Sequence, residues 1–510
     1  MKLTLRILRG NTSIQSSRTL RALTTGHEAK EDTGGYKSFR DIPSASDIDD
    51  TSRLSLNDDP AYLHEQCDTL HQLLGPIFRK YLGPYELVFI GDTKMIQSVI
   101  HNEGPYPHHS VPPCWTYYNK VKNLERGVFF QTGEPWARLR KSLADVLLRD
   151  PKSITRFASD IIDINNDMMQ EWRSRNKGQC EVIFEDVKRE LCRWSIEATG
   201  FILFGIRMGC IITENTQTNH ERAEQLVDNI TEMFAMTSKF QVVPVERAHE
   251  LDSEYWRRFE ESMTNMLQIS NDYAQEYMTK IKQSTSNTGL IKDMMDLGIL
   301  GENDIRQSVL DLIIASADTT STSLQWMLYL LASRRDSQSK IREESKILLS
   351  SKSDLNNYRD IAPYTSNFMK ETLRLYPTAP FLARTLDQEI VLGNYRVPAG
   401  IPIVFSLYTT SRMSKYFEQP LAFLPERWFR HNLDNSKCPV KKNNSIATLP
   451  FGIGRRMCLG KRVAEFQIFL LLASLASTFD CFPIDDQVNI KLTMTLGPEK
   501  PIRIKLRPRE

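Results

Sequence analysis

The ten residues FGIGRRMCLG, positions 451–460, place one cysteine, Cys458, behind two glycines and two arginines and just ahead of the apolar run KRVAEFQIFLLLASLAS. A cysteine ligates a metal or acts as a nucleophile only as thiolate, a form favoured by positive charge, backbone N–H groups and a helix N-terminus. Arg455 and Arg456 supply charge, Gly460 lets amides approach the sulfur, and a helix is expected just beyond. Gly452 and Gly454 allow a tight loop to lie flat against a planar group, with Phe451 able to cover it. The competing reading is a buried structural thiol. Upstream, KETLRLYP sets Glu371 and Arg374 at i and i+3 on one helical face, where they can bond, although most such pairs only decorate a solvated surface. In SVLDLIIASADTTSTSLQWMLYLLA, Asp318 and Thr319 interrupt an apolar helix, which is costly unless the groups have partners or work; a hydroxyl bonded one turn back would also explain the threonine. GEPWARLRKSL puts Trp136 and Arg140 at i and i+4.

These residues must be held by long elements. The chain has 510 residues, 41% of them apolar, which is enough for a large core. From residue 61 to about 350, amphipathic stretches such as ITRFASDIIDINNDMMQEW and ERAEQLVDNITEMFAMTSKF repeat apolar residues every three to four positions and predict helices. Between 381 and 410 short β-rich runs broken at Gly393-Asn394 and Pro398-Ala399-Gly400 predict hairpins, a last helix is expected over 459–478, and IKLTMTLGPEKPIRIKLRPRE alternates like a closing β pair. The fold class is therefore mainly α, one large helical domain with a small β-rich region over 61–510. Residues 31–60 are polar and turn-rich and read as a linker. Residues 1–30 are Arg-, Ser- and Thr-rich with no acid before Glu28, the pattern of a mitochondrial transit peptide rather than a secretory signal or a membrane anchor. A near-neutral balance of 65 basic and 63 acidic residues gives no reason to expect nucleic acid as a partner. Eight cysteines without C-x-x-C spacing and nine histidines without H-x-x-x-H predict reduced thiols and no zinc site.

The pattern Phe451, Gly454, Arg456, Cys458 and Gly460 resembles the haem-ligating loop of the cytochrome P-450 superfamily. That resemblance implies haem b with Cys458 as axial ligand to iron, and dioxygen as co-substrate. Glu371 and Arg374 look like the family's Glu-x-x-Arg pair, with Arg427 closing a buried network that holds the cysteine loop. Asp318 and Thr319 are similar to its proton relay toward dioxygen, with Ser316 standing where the family usually has glycine. Trp136, Arg140, Arg384 and Arg456 match its contacts to the haem propionates. The implied reaction is insertion of one oxygen atom into a C–H bond. A haem-thiolate isomerase or dehydratase would share the loop, but such relatives typically lack the Asp-Thr pair; a non-catalytic haem- or sterol-binding protein is the other alternative.

No G-x-G-x-x-G fingerprint is present, so electrons must come from a partner. With the mitochondrial leader, the resemblance implies an adrenodoxin-like ferredoxin and its NADPH-dependent reductase, meeting a basic surface of Lys370, Arg455, Lys461 and Arg462. Relatives often carry a second lysine where Ser366 stands here. GPYPHHSVPPCW reads like the mitochondrial sterol- and vitamin-D-type hydroxylases, implying a lipophilic, sterol- or steroid-like substrate and peripheral association with the inner membrane on the matrix side.

Overall fold

The computed structural model describes residues 35–48, 59–150, 152–175, 180–211, 219–241, 243–283, 289–350, 355–429 and 444–509. The basic segment over 1–30 and Cys438 lie outside the described residues. Seven helices matter for the site: α1 (Leu63–Leu74), α2 (Gly133–Ala144), α3 (Lys188–Phe204), α4 (Glu254–Gln283), α5 (Glu302–Ser333), α6 (Pro363–Leu375) and α7 (Lys461–Thr478). At 32 residues and 1.5 Å of rise each, α5 runs roughly 48 Å through the molecule. Its middle is apolar on most faces because α3 and α4 cover it and strands close its C-terminal half. The last helix falls where expected and is buried almost throughout, against the helices Arg335–Ser350 and Ala158–Ser174.

Four small sheets gather beside this bundle. β1 (Ile77–Leu82), β2 (Tyr85–Ile90), β4 (Phe381–Thr385) and β7 (Pro402–Ser406) form one sheet in the order β1-β2-β7-β4, with β2 and β7 parallel. β5 (Ile390–Leu392) and β6 (Tyr395–Val397) make the hairpin expected at Gly393-Asn394, and Gly393 takes φ 62°, the left-handed conformation such a turn requires. The C-terminal run does not close on itself as one pair. β9 (Ile490–Leu492) pairs with β10 (Leu496–Pro498), whereas β11 (Ile504–Pro508) joins β3 (Val182–Phe184) and β8 (Phe479–Pro483) in another sheet. Alternation marks a strand but not its partner.

Part of the segment expected as a linker is built into the sheet. Ile42 is buried, Lys37 and Ser44 form bridges with Tyr395 and Arg79, and the buried Arg79 donates to the carbonyls of Ile42 (3.1 Å) and Arg40 (3.0 Å). Ordered structure thus begins before Ala61, because a guanidinium from β1 satisfies main-chain acceptors in a stretch whose own composition is polar.

Candidate active site

The cysteine loop is a tight structure of its own. Cys458 N–H donates to the Phe451 carbonyl at 2.8 Å, and Met457 N–H to Gly454 at 3.1 Å. Gly454 has φ 75°, and a Cβ there would sit 2.4 Å from a carboxylate oxygen of Glu103, so only glycine fits. Phe451 is half-buried, with Lys461 Nζ 5.9 Å from its ring centre. Five cysteines, Cys67, Cys114, Cys192, Cys210 and Cys481, are buried; Cys458 is exposed although the next residue, Leu459, is buried. Its sulfur faces an opening inside the molecule, so burial still pushes the thiol pKa up, while the Gly460 N–H, Arg140 and Lys461 work in the thiolate's favour. The charge that reaches the sulfur therefore comes from α2 and α7, not from Arg455 and Arg456 as expected. Arg456 turns away to stack on Trp136, 3.8 Å from the ring centre, and to donate to the Pro107 (2.9 Å) and Gln131 (3.1 Å) carbonyls, and Arg455 is exposed.

Trp136, Arg140, Arg384 and Arg456 converge from α2, β4 and the loop. Arg140 donates to the Met457 carbonyl at 2.5 Å, and Arg384 to Glu103 (2.8 Å) and the Ile453 carbonyl (3.1 Å). Arg456 has its pKa lowered to about 10, first by burial and then by repulsion from Arg384 and Arg140, with Glu103 only partly compensating. Arginine ordinarily stays charged in proteins, so this set lacks anions. An accessible thiol beside crowded guanidiniums fits haem, whose iron would take Cys458 and whose two carboxylates would take the arginines.

On α5, Ala315 and Thr319 are exposed one turn apart, while Ala317, Asp318 and Thr320 between and beside them are buried. Such a stripe in a core helix means that an opening lies against it. The Thr319 hydroxyl donates to the Ala315 carbonyl at 2.6 Å. Asp318 points elsewhere: Lys188 of α3 stands 2.8 Å from one carboxylate oxygen and Thr495 donates to the other at 2.8 Å. The two expected relay residues are thus not bonded to each other, since consecutive helix positions face about 100° apart. The Ser316 hydroxyl folds back onto the Ile313 carbonyl at 2.9 Å, and its own carbonyl accepts from Ser195 at 3.0 Å, so the hydroxyl is engaged within the helix.

Glu371 and Arg374 on α6 are fully buried and paired through two bonds of 2.9 and 2.7 Å. Arg427 (2.9 Å), Trp428 (2.8 Å) and the Leu424 N–H (3.0 Å) complete the carboxylate, and Arg374 and Arg427 donate onward to carbonyls of Ser411, Pro420 and Glu418. Burial alone would push the Glu371 pKa up; Arg374 and the other donors overcome it and hold the carboxyl below its usual range.

Of the four basic residues expected to meet a partner, Lys370 and Arg462 line one groove of about 650 Å³ together with Arg359, Asn367 and Trp428. Lys461 lies over Phe451, and Arg455 is on the exposed rim. Ser366 is buried at the base of the groove. Sequence reasoning missed Glu103, Lys188 and Thr495, which come from distant segments; an acid beside GPYP gives no local hint that it reaches Arg384, 281 positions away. Among the described residues, no helix is long and apolar enough to cross a membrane, and no cluster of His, Cys, Asp and Glu suits a metal ion.

Comparison with known proteins gives one family. The Cytochrome P450 family model matches residues 54–506. A protein named cholesterol side-chain cleavage enzyme, mitochondrial, from Oncorhynchus mykiss is 30% identical over 445 residues, covering 85% of this chain and 83% of its own. Cytochrome P450 315a1, mitochondrial, from Drosophila melanogaster is 29% identical over 88% of this chain and 84% of its own. The 1,25-dihydroxyvitamin D(3) 24-hydroxylase, mitochondrial, of Rattus norvegicus is 28% identical over 88% and 85%.

Proposed function

The chain belongs to the cytochrome P-450 family and is a haem-dependent monooxygenase, and from that premise we propose that it hydroxylates a sterol- or steroid-like lipophile in mitochondria with electrons from an acidic, adrenodoxin-like ferredoxin. When bound, haem b supplies oxygen activation, with dioxygen as co-substrate. Cys458 is the iron ligand in this reading. Arg140, Arg384 and Arg456, with Trp136 beneath Arg456, take the haem carboxylates and lose their mutual repulsion as they do so. Glu371, Arg374 and Arg427 keep the loop at a set height by tying α6 to the segment 411–428.

The proton route is built from this chain's own groups. Lys188 is half-buried and joins Asp318 to the surface side of α3, so a proton enters there and passes to the carboxylate. Asp318 must then turn from Thr495 toward the cavity face, and Thr319 must release the Ala315 carbonyl to donate into it. Thr319→Ala is expected to keep haem yet lower product per electron roughly a hundredfold, with the electrons recovered as hydrogen peroxide. Unchanged coupling would remove the threonine from the route. An isomerase would turn over without oxygen; uptake of dioxygen in step with product excludes it.

The observation that carries the finer reading is the pairing of relatives named for sterol and vitamin D chemistry with a basic groove on this chain. An acidic ferredoxin suits Lys370 and Arg462, with the NADPH-dependent reductase upstream of it. Exposed Leu251 and Tyr255, near the start of α4, suit peripheral contact with the inner membrane. The test is a panel of sterols, steroids and fatty acids scored by substrate-induced shifts of the haem spectrum, followed by turnover with a mitochondrial ferredoxin or a microsomal flavoprotein as donor. Shifts confined to fatty acids, or turnover with the flavoprotein alone, would overturn it.

A further inference from the structure

One acid on α5 has no part in the proton route. Asp311 is buried within the apolar run SVLDLII, one turn before the exposed Ala315 and on the same helical face. One of its carboxylate oxygens stands 3.0 Å from the buried Arg126, and the other accepts the Phe129 N–H at 3.1 Å. Arg126 in turn lies over Phe130, 4.3 Å from the ring centre. Gly127 presses directly on the helix: a Cβ there would lie 2.6 Å from the Asp311 carboxylate and 2.7 Å from the Gln307 carbonyl, so no side chain fits. Further along, Gln131 returns its side-chain amide to the Arg126 carbonyl (3.2 Å) and gives its own carbonyl to Arg456 (3.1 Å). Residues 126–131 are thus pinned to α5 at one end and to the basic edge at the other, with Phe129 and Phe130 half-buried between.

Resting on the haem-thiolate reading, we propose that Asp311 and Arg126 are positioning residues for substrate: their ion pair holds Phe129 and Phe130 as a wall of the cavity that Ala315 and Thr319 face, and so sets its width. The segment cannot hold itself there. Its own bonds, from the Phe130 and Gln131 N–H groups to the Gly127 carbonyl, shape a turn but do not attach it to α5. Stability does not account for the pair either. Burial outweighs Arg126 and the Phe129 N–H, so the Asp311 pKa stays above its ordinary value, whereas the partners of Glu371 win and hold that carboxyl below its own. A buried ion pair that does not recover the cost of its burial is often replaceable by apolar residues without loss of stability. What this pair supplies is one fixed register between the aromatic segment and the helix, and a cavity bounded by that segment takes its width from the register.

Two azoles that bind haem iron from the cavity side separate the wall from the iron. Imidazole is small and reads the iron alone, whereas clotrimazole also fills the space against the wall. The full-length holoprotein is titrated with each, followed by the shift of the haem band, as wild type, as Asp311→Asn, and as a double variant carrying Arg126→Met and Asp311→Leu. The double variant removes both charges together and is expected to fold, with thermal unfolding of its apoprotein unchanged. Asp311→Asn and the double variant are each expected to weaken clotrimazole roughly tenfold while imidazole stays within about twofold of the wild type. Unchanged clotrimazole affinity in the double variant, or equal losses for both azoles, would overturn the positioning role. So would a wild type that binds clotrimazole no more tightly than imidazole. If Asp311→Asn does not fold, the double variant decides. The carbon monoxide spectrum of the reduced wild type keeps the two ideas apart. A thiolate-type band with unaltered azole affinities removes only the role of the pair, whereas absence of that band removes the haem-thiolate reading itself.

Discussion

Two arginine clusters, one around Glu371 and one around Arg456, are solved in opposite ways. Around Glu371, one carboxylate accepts from Arg374, Arg427, Trp428 and the Leu424 N–H, and the arginines' remaining donors reach carbonyls. Around Arg456, the three guanidiniums Arg140, Arg384 and Arg456 share one nearby acid, Glu103, and repel one another. The same residue type thus closes a structure in one place and leaves a site open for an anion in the other. The ratio of acid to guanidinium separates them: one carboxylate answers two arginines in the first cluster and three in the second.

The largest break is expected at Cys458, the proposed iron ligand. Cys458→Ala is expected to abolish the red-shifted carbon monoxide band of the reduced protein and bring product to background; a normal band would remove the thiolate from the iron. Next comes a direct contrast. Glu371→Ala leaves Arg374 and Arg427 buried without their anion and should destabilise the fold by about 3–5 kcal/mol, whereas Arg456→Gln relieves repulsion and should leave apoprotein stability within about 1 kcal/mol while haem release speeds up. Thermal unfolding of both apoproteins measures this, and equal losses would erase the distinction between the clusters.

A third solution, keeping a buried group neutral, sharpens the comparison. His64 on α1 is fully buried, and burial followed by Arg412 lowers its pKa to about 4; His71 is lowered to about 4 by burial, against its bond to Gly75. Both lie below the ordinary value of 6.5, so their effect is absent above it. Apoprotein stability should fall as pH drops from about 6.5 to about 4, by roughly 3 kcal/mol for each histidine at the end of that range. His64→Phe should flatten the fall in a series of urea titrations; an unaltered slope would place the acid lability elsewhere. The smallest effect belongs to the solvated cations of the groove. Lys370→Glu should raise the apparent KM for ferredoxin roughly tenfold and weaken its salt dependence, and an unchanged KM would move the docking surface off this groove.

Much of the site could be read in the sequence where its chemistry is local. The loop around Cys458 is set by Gly454 and by main-chain bonds within ten residues, Glu371 and Arg374 meet because they are three apart on one helix, and the 393–394 turn needs its glycine. Long apolar runs likewise marked α5 and α7. The polar composition of residues 31–60 hid the docking of Ile42 onto the sheet, and alternation near the C-terminus did not reveal that β11 pairs with β3 and β8.

By itself, the chain's order of residues determined which groups could carry a thiolate ligand, a proton and a carboxylate clamp, because short spacing on a helix or in a tight loop fixes geometry within a few ångströms. Only the tertiary structure decided which way Arg456 turns, that Asp318 rests on Lys188 and Thr495, and that Glu103 and His109 stand at the basic edge. Charges act over distances in space, and the folded chain brings together groups that sequence separation keeps far apart.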